Sequence, residues 1–272
     1  MLTEESTYGE FLEFWANVYK KPYIKESSFY RLNTVLRLHI PEEIRKIPLN
    51  KLKGIYFDDI LSQCKYERTR KYLYFTFTNS LRRAYRLELT ETDLSVKIEP
   101  VKHRVKLGRA LSRTEQEDFF KAIEKSKYRY LFAFYIYTGC RRSEALSLKW
   151  NDIDRRLKII YIHGTKTVSS DRTVFLLPEV EQILEHQKQM TGNGDLVFPY
   201  DKNNVSHYFK RYCPNHKLHD LRHTFVTRCA ESGININVTQ RLAGHSDIST
   251  TLQIYTHVTT EFQRDEFKKF KI

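Results

Sequence analysis

Two arginine-bearing stretches have the residue types and spacing to work on an anion. In His219-Asp-Leu-Arg-His-Thr224 a histidine and an arginine stand three residues apart, which puts both side chains on one face of a helix that begins at His219. In Thr138-Gly-Cys-Arg-Arg-Ser-Glu-Ala-Leu146, Glu144 follows Arg141 by three residues and shares its helical face, where a carboxylate can either steady the guanidinium or make an ordinary helical ion pair. Arg141 and Arg142 are neighbours, so on a helix they point about 100° apart and cannot both face one ligand. A guanidinium holds two oxygens at once and stays charged at any physiological pH, whereas a lysine offers a point charge. An imidazole titrates near neutrality and moves protons there. A metal site is the rival explanation, because Cys213, His216, His219 and His223 fall within one short window. No second ligand group accompanies them, and no CxxC pair occurs, so no metal is expected.

Two further stretches follow the same order along the chain: Gly164-Thr-Lys-Thr167, and Leu242-Ala-Gly-His-Ser-Asp-Ile-Ser-Thr-Thr-Leu-Gln-Ile-Tyr-Thr-His257. With the first two, they give residues 110 to 260 a chain that resembles the tyrosine recombinase, or phage integrase, family. Residues 1 to 100 resemble it only as a basic helical domain ahead of a catalytic one. The resemblance implies a site-specific DNA recombinase or integrase that cuts and rejoins strands through a 3′-phosphotyrosyl intermediate and a Holliday junction. It implies that Arg141 and Arg222 bind the non-bridging oxygens, that His219 relays the tyrosine proton, and that His245 donates to a non-bridging oxygen. Lys166 is then the general acid for the leaving 5′ oxygen, Tyr255 the nucleophile and Glu144 the support for Arg141; His223, one residue out of phase with His219 and Arg222, reads as structural.

The chemistry is consistent with those roles. Attack on a phosphodiester builds negative charge on the non-bridging oxygens, and fixed donors must meet it. A phenoxide leaves more readily than an alkoxide, so a phosphotyrosyl bond keeps roughly the energy of the diester and can be reversed by a DNA 5′-hydroxyl. Neither ATP nor a metal is then needed and no cofactor is expected, in keeping with the lack of a P-loop motif or a two-metal carboxylate cluster. Composition alone does not select Tyr255, since there are 18 tyrosines. The sign of any shift on Lys166 is likewise not legible, because nearby arginines and DNA act in opposite directions.

Charge supports a polyanionic partner. Lys and Arg total 46 against 33 Asp and Glu, for a net +13. The excess is shared: residues 1–109 hold 21 basic and 14 acidic residues, the remainder 25 and 19, so both parts are expected to touch double-stranded DNA. Lys102, Arg104, Lys106 and Arg109 lie in a stretch broken by Pro100 and Gly108, which reads as an extended basic linker, either solvated or crossing phosphates. The four cysteines are irregularly spaced, as in reduced proteins. No apolar run approaches the ~20 residues that span a bilayer, so no membrane is expected. By resemblance the protein is cytoplasmic and nucleoid-associated, and encoded by a bacterium, a phage or another mobile genetic element.

The elements that must position these residues follow from periodicity. Thr7/Glu10 and Ser112/Glu115 have capping-box spacing. Tyr8, Phe11, Leu12, Trp15, Val18 and Tyr19 form one helical stripe, Phe29, Leu32, Val35 and Leu36 a second, and Tyr72, Phe75 and Leu81 mark a third helix from near Glu67; these aromatics read as core. Residues 130–137 read as a buried helix ending at Thr138-Gly139. Asn151–Asp154, Leu157–His163 and Arg172–Leu177 read as a small antiparallel sheet. Helices are expected at about 179–190, 204–212, 219–232, 235–243 and 249–268. The fold class is therefore mainly α with a small antiparallel β-sheet, in two domains: a helical core-binding domain at 1–100, a linker at 101–110 and an α+β catalytic domain at 111–272. By resemblance the protein acts as a homotetramer on paired sites, its tail 259–272 docking either on its own domain or on a neighbour. Nothing before Thr7 is long enough for the arm-binding domain that many members carry, so the chain either lacks one or is a piece of a longer protein. A type IB topoisomerase and a non-catalytic basic DNA-binding regulator are the alternatives.

Overall fold

A computed structural model of the chain describes residues 2–102, 108–164, 171–256, 267, 268 and 270. It divides into two compact units, Met1–Lys106 and Leu107–Ile272.

The first unit is built from α1 (Tyr8–Trp15), α2 (Glu26–His39), α3 (Glu42–Arg45), α4 (Gly54–Gln63) and α5 (Glu67–Arg86). The Thr7/Glu10 capping box opens α1, Thr7 Oγ1 accepting from the Glu10 amide and the Glu10 carboxylate accepting from the Thr7 amide. Behind it Tyr8, Phe11, Leu12 and Trp15 are buried. The Tyr8 ring packs edge-on to Phe57 at 5.3 Å, and its hydroxyl is satisfied by Ser80 Oγ at 3.0 Å, so a polar group enters the core with its partner. Helix α5 buries Leu73, Phe77, Leu81 and Ala84, one face at helical intervals. Phe75 lies two residues from Leu73 and from Phe77, which turns it about 200° away, and it is 50% exposed rather than core. Val18 is also outside the core.

The second unit contains α6 (Arg113–Ile123), α7 (Arg129–Thr138), α8 (Arg142–Ser147), β1 (Ile153–Asp154), β2 (Ile159–Ile162), β3 (Arg172–Phe175), α9 (Pro178–Thr191), α10 (Lys202–Tyr212), α11 (Asp220–Glu231), α12 (Ile236–Ala243) and α13 (Ile248–Tyr255). Helix α7 is apolar on nearly every side and sits in the centre, with α9 and α11 packed on it. The strands form an antiparallel sheet in the order β1-β2-β3, with Ile160 opposite Val174 and Ile162 opposite Arg172. Ile160, Ile162 and Val174 face inward while Tyr161 and Phe175 face out, the period-2 alternation of a half-buried sheet. The first strand is shorter than the expected Asn151–Asp154, because the Asp152 carboxylate accepts from the Lys149 amide and winds Trp150–Asp152 into a 3-10 turn. The second begins only at Ile159: Asp154 caps the Leu157 amide and Lys158 takes φ 57°, so those residues make the turn. β3 stops at Phe175, and Leu177 caps α9, whose first residue is Pro178. α13 ends at Tyr255, and the remainder of the expected 249–268 helix lies almost wholly outside the described residues. Among the described residues no helix is long and apolar enough to cross a membrane.

Candidate active site

The first arginine is delivered by a glycine turn. Gly139 ends α7 at φ 62°, a left-handed conformation that a side chain makes costly. A Cβ there would lie 2.3 Å from the Phe225 ring. The chain then turns through buried Cys140, and Arg141 stands as the N-cap of α8. Its side chain donates from Nη1 to Glu144 Oε1 at 2.7 Å and from Nη2 to the Gly244 carbonyl at 2.6 Å. Arg142 goes another way, to Ser206 Oγ at 2.6 Å and the Lys202 carbonyl at 3.2 Å. Gly139→Ala is expected to cost about 2 to 5 kcal/mol, the sum of a left-handed penalty and overpacking. A drop in denaturation midpoint checks it, and an unchanged midpoint refutes it.

Glu144 is more than a helical ion pair. Its side chain is fully buried, and its Oε2 also accepts from the Arg141 amide at 2.8 Å and from Arg172 Nη2 at 2.9 Å. Burial pushes its carboxyl up, but the Arg172 and Arg141 contacts outweigh that and hold it below the ordinary carboxylate range.

Arg222 reaches the same place from α11. It is 2% exposed and donates from Nη1 to the Gly139 carbonyl at 2.7 Å, while its Nε and Nη2 are buried with no hydrogen-bond partner. Burial first, then Arg141 and Arg172, lower its pKa to about 9, which leaves it charged at neutral pH. Arg141 and Arg222 open into one cleft of about 430 Å³, lined also by Arg142, Ser143, Ser206 and His219. A buried cation with unused donors beside a second guanidinium is a site for an anion.

His219 lines this cleft, and His245 lies close enough to feel the charge of both guanidiniums. His219 caps α11, its ring edge-on to His223 at 5.0 Å. Burial, His223 and Arg222 push its pKa down. His245 follows Gly244, and its Nδ1 pairs with Thr251 Oγ1 at 2.8 Å, which leaves Nε2 for another partner. Burial, then Arg222 and Arg141, lower His245 from 6.5 to about 3. The folded protein thus refuses a proton that the unfolded chain accepts. The stability this reflects is complete above about pH 6.5 and is lost as the pH falls from there toward about 3. Melting temperature should therefore fall more steeply between pH 7 and 4 in the wild type than in His245→Asn, and parallel curves would refute the coupling.

Tyr255 stands at the end of α13 with its hydroxyl elsewhere. It donates to the Ile234 carbonyl at 2.8 Å and accepts from Thr239 Oγ1 at 2.6 Å, at the start and middle of the neighbouring turn and helix. Burial raises its pKa, with Thr239 pulling the other way. The structure thus gathers Arg141, Arg222, His219, His245 and Glu144, and holds Tyr255 in a clasp apart from them.

Lys166, Arg104 and Lys106 lie outside the described residues, as does most of the 259–272 tail. Lys102 is exposed. Arg109 binds both oxygens of Glu115, at 2.8 and 2.6 Å, and meets His216 Nε2 at 2.9 Å. His216 also lies 3.3 Å from Asp220, and among the described residues no cluster of His, Cys, Asp and Glu is arranged to hold a metal ion. The cysteines Cys64, Cys140, Cys213 and Cys229 are buried free thiols. Sequence reasoning passed over Arg172, 7% exposed at its side chain and bonded to Glu144 and the Leu242 carbonyl. Its signal was available: strand alternation sets it in phase with buried Val174, an inward position where a charge is unexpected.

Comparison with known proteins identifies the family. The profile of the phage integrase family matches residues 109–261, and that of the phage integrase N-terminal SAM-like domain matches residues 7–63. The chain is 31% identical over 190 residues to a tyrosine recombinase, XerA, of Saccharolobus solfataricus, covering 68% of this chain and 65% of that one. Among solved structures it is similar to an integrase of the transposon Tn1549 in complex with a circular intermediate DNA, at 18% identity and TM-score 0.78 over 97% of this chain and 100% of that one. A lambda integrase tetramer bound to a Holliday junction is similar at 20% identity and TM-score 0.77, over 89% of this chain and 78% of that one.

Proposed function

Because this chain belongs to the phage integrase family, we propose that it is a site-specific DNA recombinase that cuts and rejoins strands through a 3′-phosphotyrosyl intermediate. The observation that carries this reading is the cleft in which Arg222, buried with two unused donors, opens beside Arg141. A scissile phosphate seated there takes its two non-bridging oxygens to the guanidiniums, while His245 donates from Nε2. Tyr255 leaves its clasp, gives up its proton toward His219, and its oxygen attacks phosphorus. The P–O5′ bond breaks, and Lys166 protonates the leaving 5′ oxygen. Reversal by a 5′-hydroxyl of the partner strand restores a diester and frees the tyrosine, so the bond energy is conserved without ATP. The electron flow also calls for no metal or other cofactor.

The substrate in this reading is double-stranded DNA carrying recombination sites, held by both units, with Lys102, Arg104, Lys106 and Arg109 of the basic linker contacting phosphates. Arg109 would release Glu115 or contact phosphate with its exposed edge. The working assembly is a homotetramer on paired sites, passing through a Holliday junction, with tail 259–272 docked on a neighbour. The setting is the cytoplasm, on the nucleoid, in the service of DNA integration or excision by a mobile element. The lambda integrase tetramer on a Holliday junction supports the proposed assembly, by likeness of fold.

The test is a nicked suicide substrate, from which the cut fragment diffuses away and leaves any covalent adduct trapped. A trapped adduct whose attached peptide contains Tyr255 is the expected result. No adduct on any cleavable site would mark a non-catalytic DNA-binding regulator, and an adduct with supercoil relaxation but no strand exchange would mark a type IB topoisomerase-like enzyme.

A further inference from the structure

We propose that Arg172 is a positioning residue for strand cleavage, holding Arg141 and the His245 turn in one rigid frame; the inference rests on the recombinase reading above. Arg172 lies on β3 with its side chain 7% exposed. Its Nη2 donates to Glu144 Oε2 at 2.9 Å and its Nε to the Leu242 carbonyl at 2.7 Å, so its fork joins the start of α8 to the end of α12. Glu144 passes the contact on to Arg141, and Arg141 closes the ring on the Gly244 carbonyl at 2.6 Å. Gly244 completes the fit: it stands at φ 67°, and a Cβ there would lie 3.0 Å from Arg172 Nη1. His245 is the next residue. Two groups expected to touch the phosphate, Arg141 and His245, thus take their places from one guanidinium that is not itself among the residues lining the cleft.

The chemistry of the frame favours arginine specifically. A planar fork donates in two fixed directions, to a carboxylate and to a carbonyl, where a lysine ammonium reaches one of them. Unsupported, Glu144 would be a buried carboxylate facing Arg141 alone at short range, with Arg222, Cys140 and Tyr135 the other titratable groups around it. A mobile Arg141 misplaces a donor that must meet the charge growing on phosphorus.

The test measures single-turnover adduct formation at saturating nicked substrate, and DNA affinity, for Arg172→Gln and Arg172→Lys. Arg172→Gln is expected to slow adduct formation about 10- to 100-fold, the usual effect of removing a supporting contact, with DNA affinity changed less than about threefold. Arg172→Lys should fall between the variant and the wild type, and it carries the comparison if the glutamine variant does not fold. The acid limb of the rate profile should move to higher pH in Arg172→Gln, because Glu144 loses a partner that keeps it ionised. It should vanish in Glu144→Gln/Arg172→Gln, whose rate loss should be no greater than that of the worse single variant. A folded Arg172→Gln that binds DNA and forms adduct at the wild-type rate with an unmoved pH profile overturns the proposal. So does a double variant in which the two losses multiply. A wild type that forms no adduct at all would instead sink the recombinase reading and this inference with it.

Discussion

Tyr255→Phe is expected to abolish adduct formation, by at least about 10⁴-fold, while leaving DNA affinity within about twofold of the wild type. The variant loses one atom, the hydroxyl oxygen that the proposed reaction uses to attack phosphorus. Among 18 tyrosines this one is singled out by its place ten residues after His245. The hydroxyl also closes the clasp with Ile234 and Thr239, and Thr239 is fully buried. Its loss leaves a buried hydroxyl and a carbonyl short of a partner, so a small fall in stability, about 1 kcal/mol, should accompany the loss of activity. Trapping on a nicked substrate and a denaturation curve read both effects. Full-rate adduct formation by the variant would move the nucleophile to another residue.

Arg222→Met is expected to separate activity from stability in the opposite sense. Adduct formation should fall by at least about 10²- to 10³-fold, the scale seen when one fixed donor to a transition-state oxygen is removed. The melting temperature should not fall, although a 2% exposed side chain is being replaced. In the free protein Arg222 keeps a charge out of water with Nε and Nη2 unbonded, next to Arg141 and Arg172. Replacing a poorly compensated buried charge by an apolar chain of similar length removes that cost, against the loss of one bond to the Gly139 carbonyl. On the proposed reading the charge serves the phosphate rather than the fold. Arg222→Lys should be nearly as inactive, since an ammonium cannot reproduce the fork. A marked loss of stability in Arg222→Met, with normal adduct formation by the protein that remains folded, would make Arg222 structural.

Local interactions account for what was legible in advance. Both capping boxes form at Thr7 and Ser112, because a capping box needs only residues three positions apart. The helix carrying Arg222 begins at Asp220 with His219 as its cap, one residue from the expected start. The split between Arg141 and Arg142 likewise follows from adjacency alone, and Arg142 is found on Ser206 and Lys202. Boundaries were less legible where a side chain competes for a backbone amide, as Asp152 and Asp154 do at the two ends of the first hairpin. Phe75 misled because aromatic content was read without strict phase, whereas Phe57, Ile60 and Leu61 of α4 had the phase and went unread.

Residue order was therefore enough for the family and most of the helices, and for singling out Arg141, Arg222 and His219, which line one cleft, since motif spacing and helical period are properties of short segments. Folding in three dimensions was required for the rest. The Gly139 and Gly244 carbonyls that hold Arg222 and Arg141 lie 83 and 103 positions away from them, and Arg172 meets Glu144 across 28. Contacts at such separations leave no periodic trace, because they depend on how packed helices and a strand bring distant backbone together. The same is true of Tyr255: its motif resembles that of a family nucleophile, but that its hydroxyl rests on Thr239 and Ile234 follows from the packing of α12 against α13.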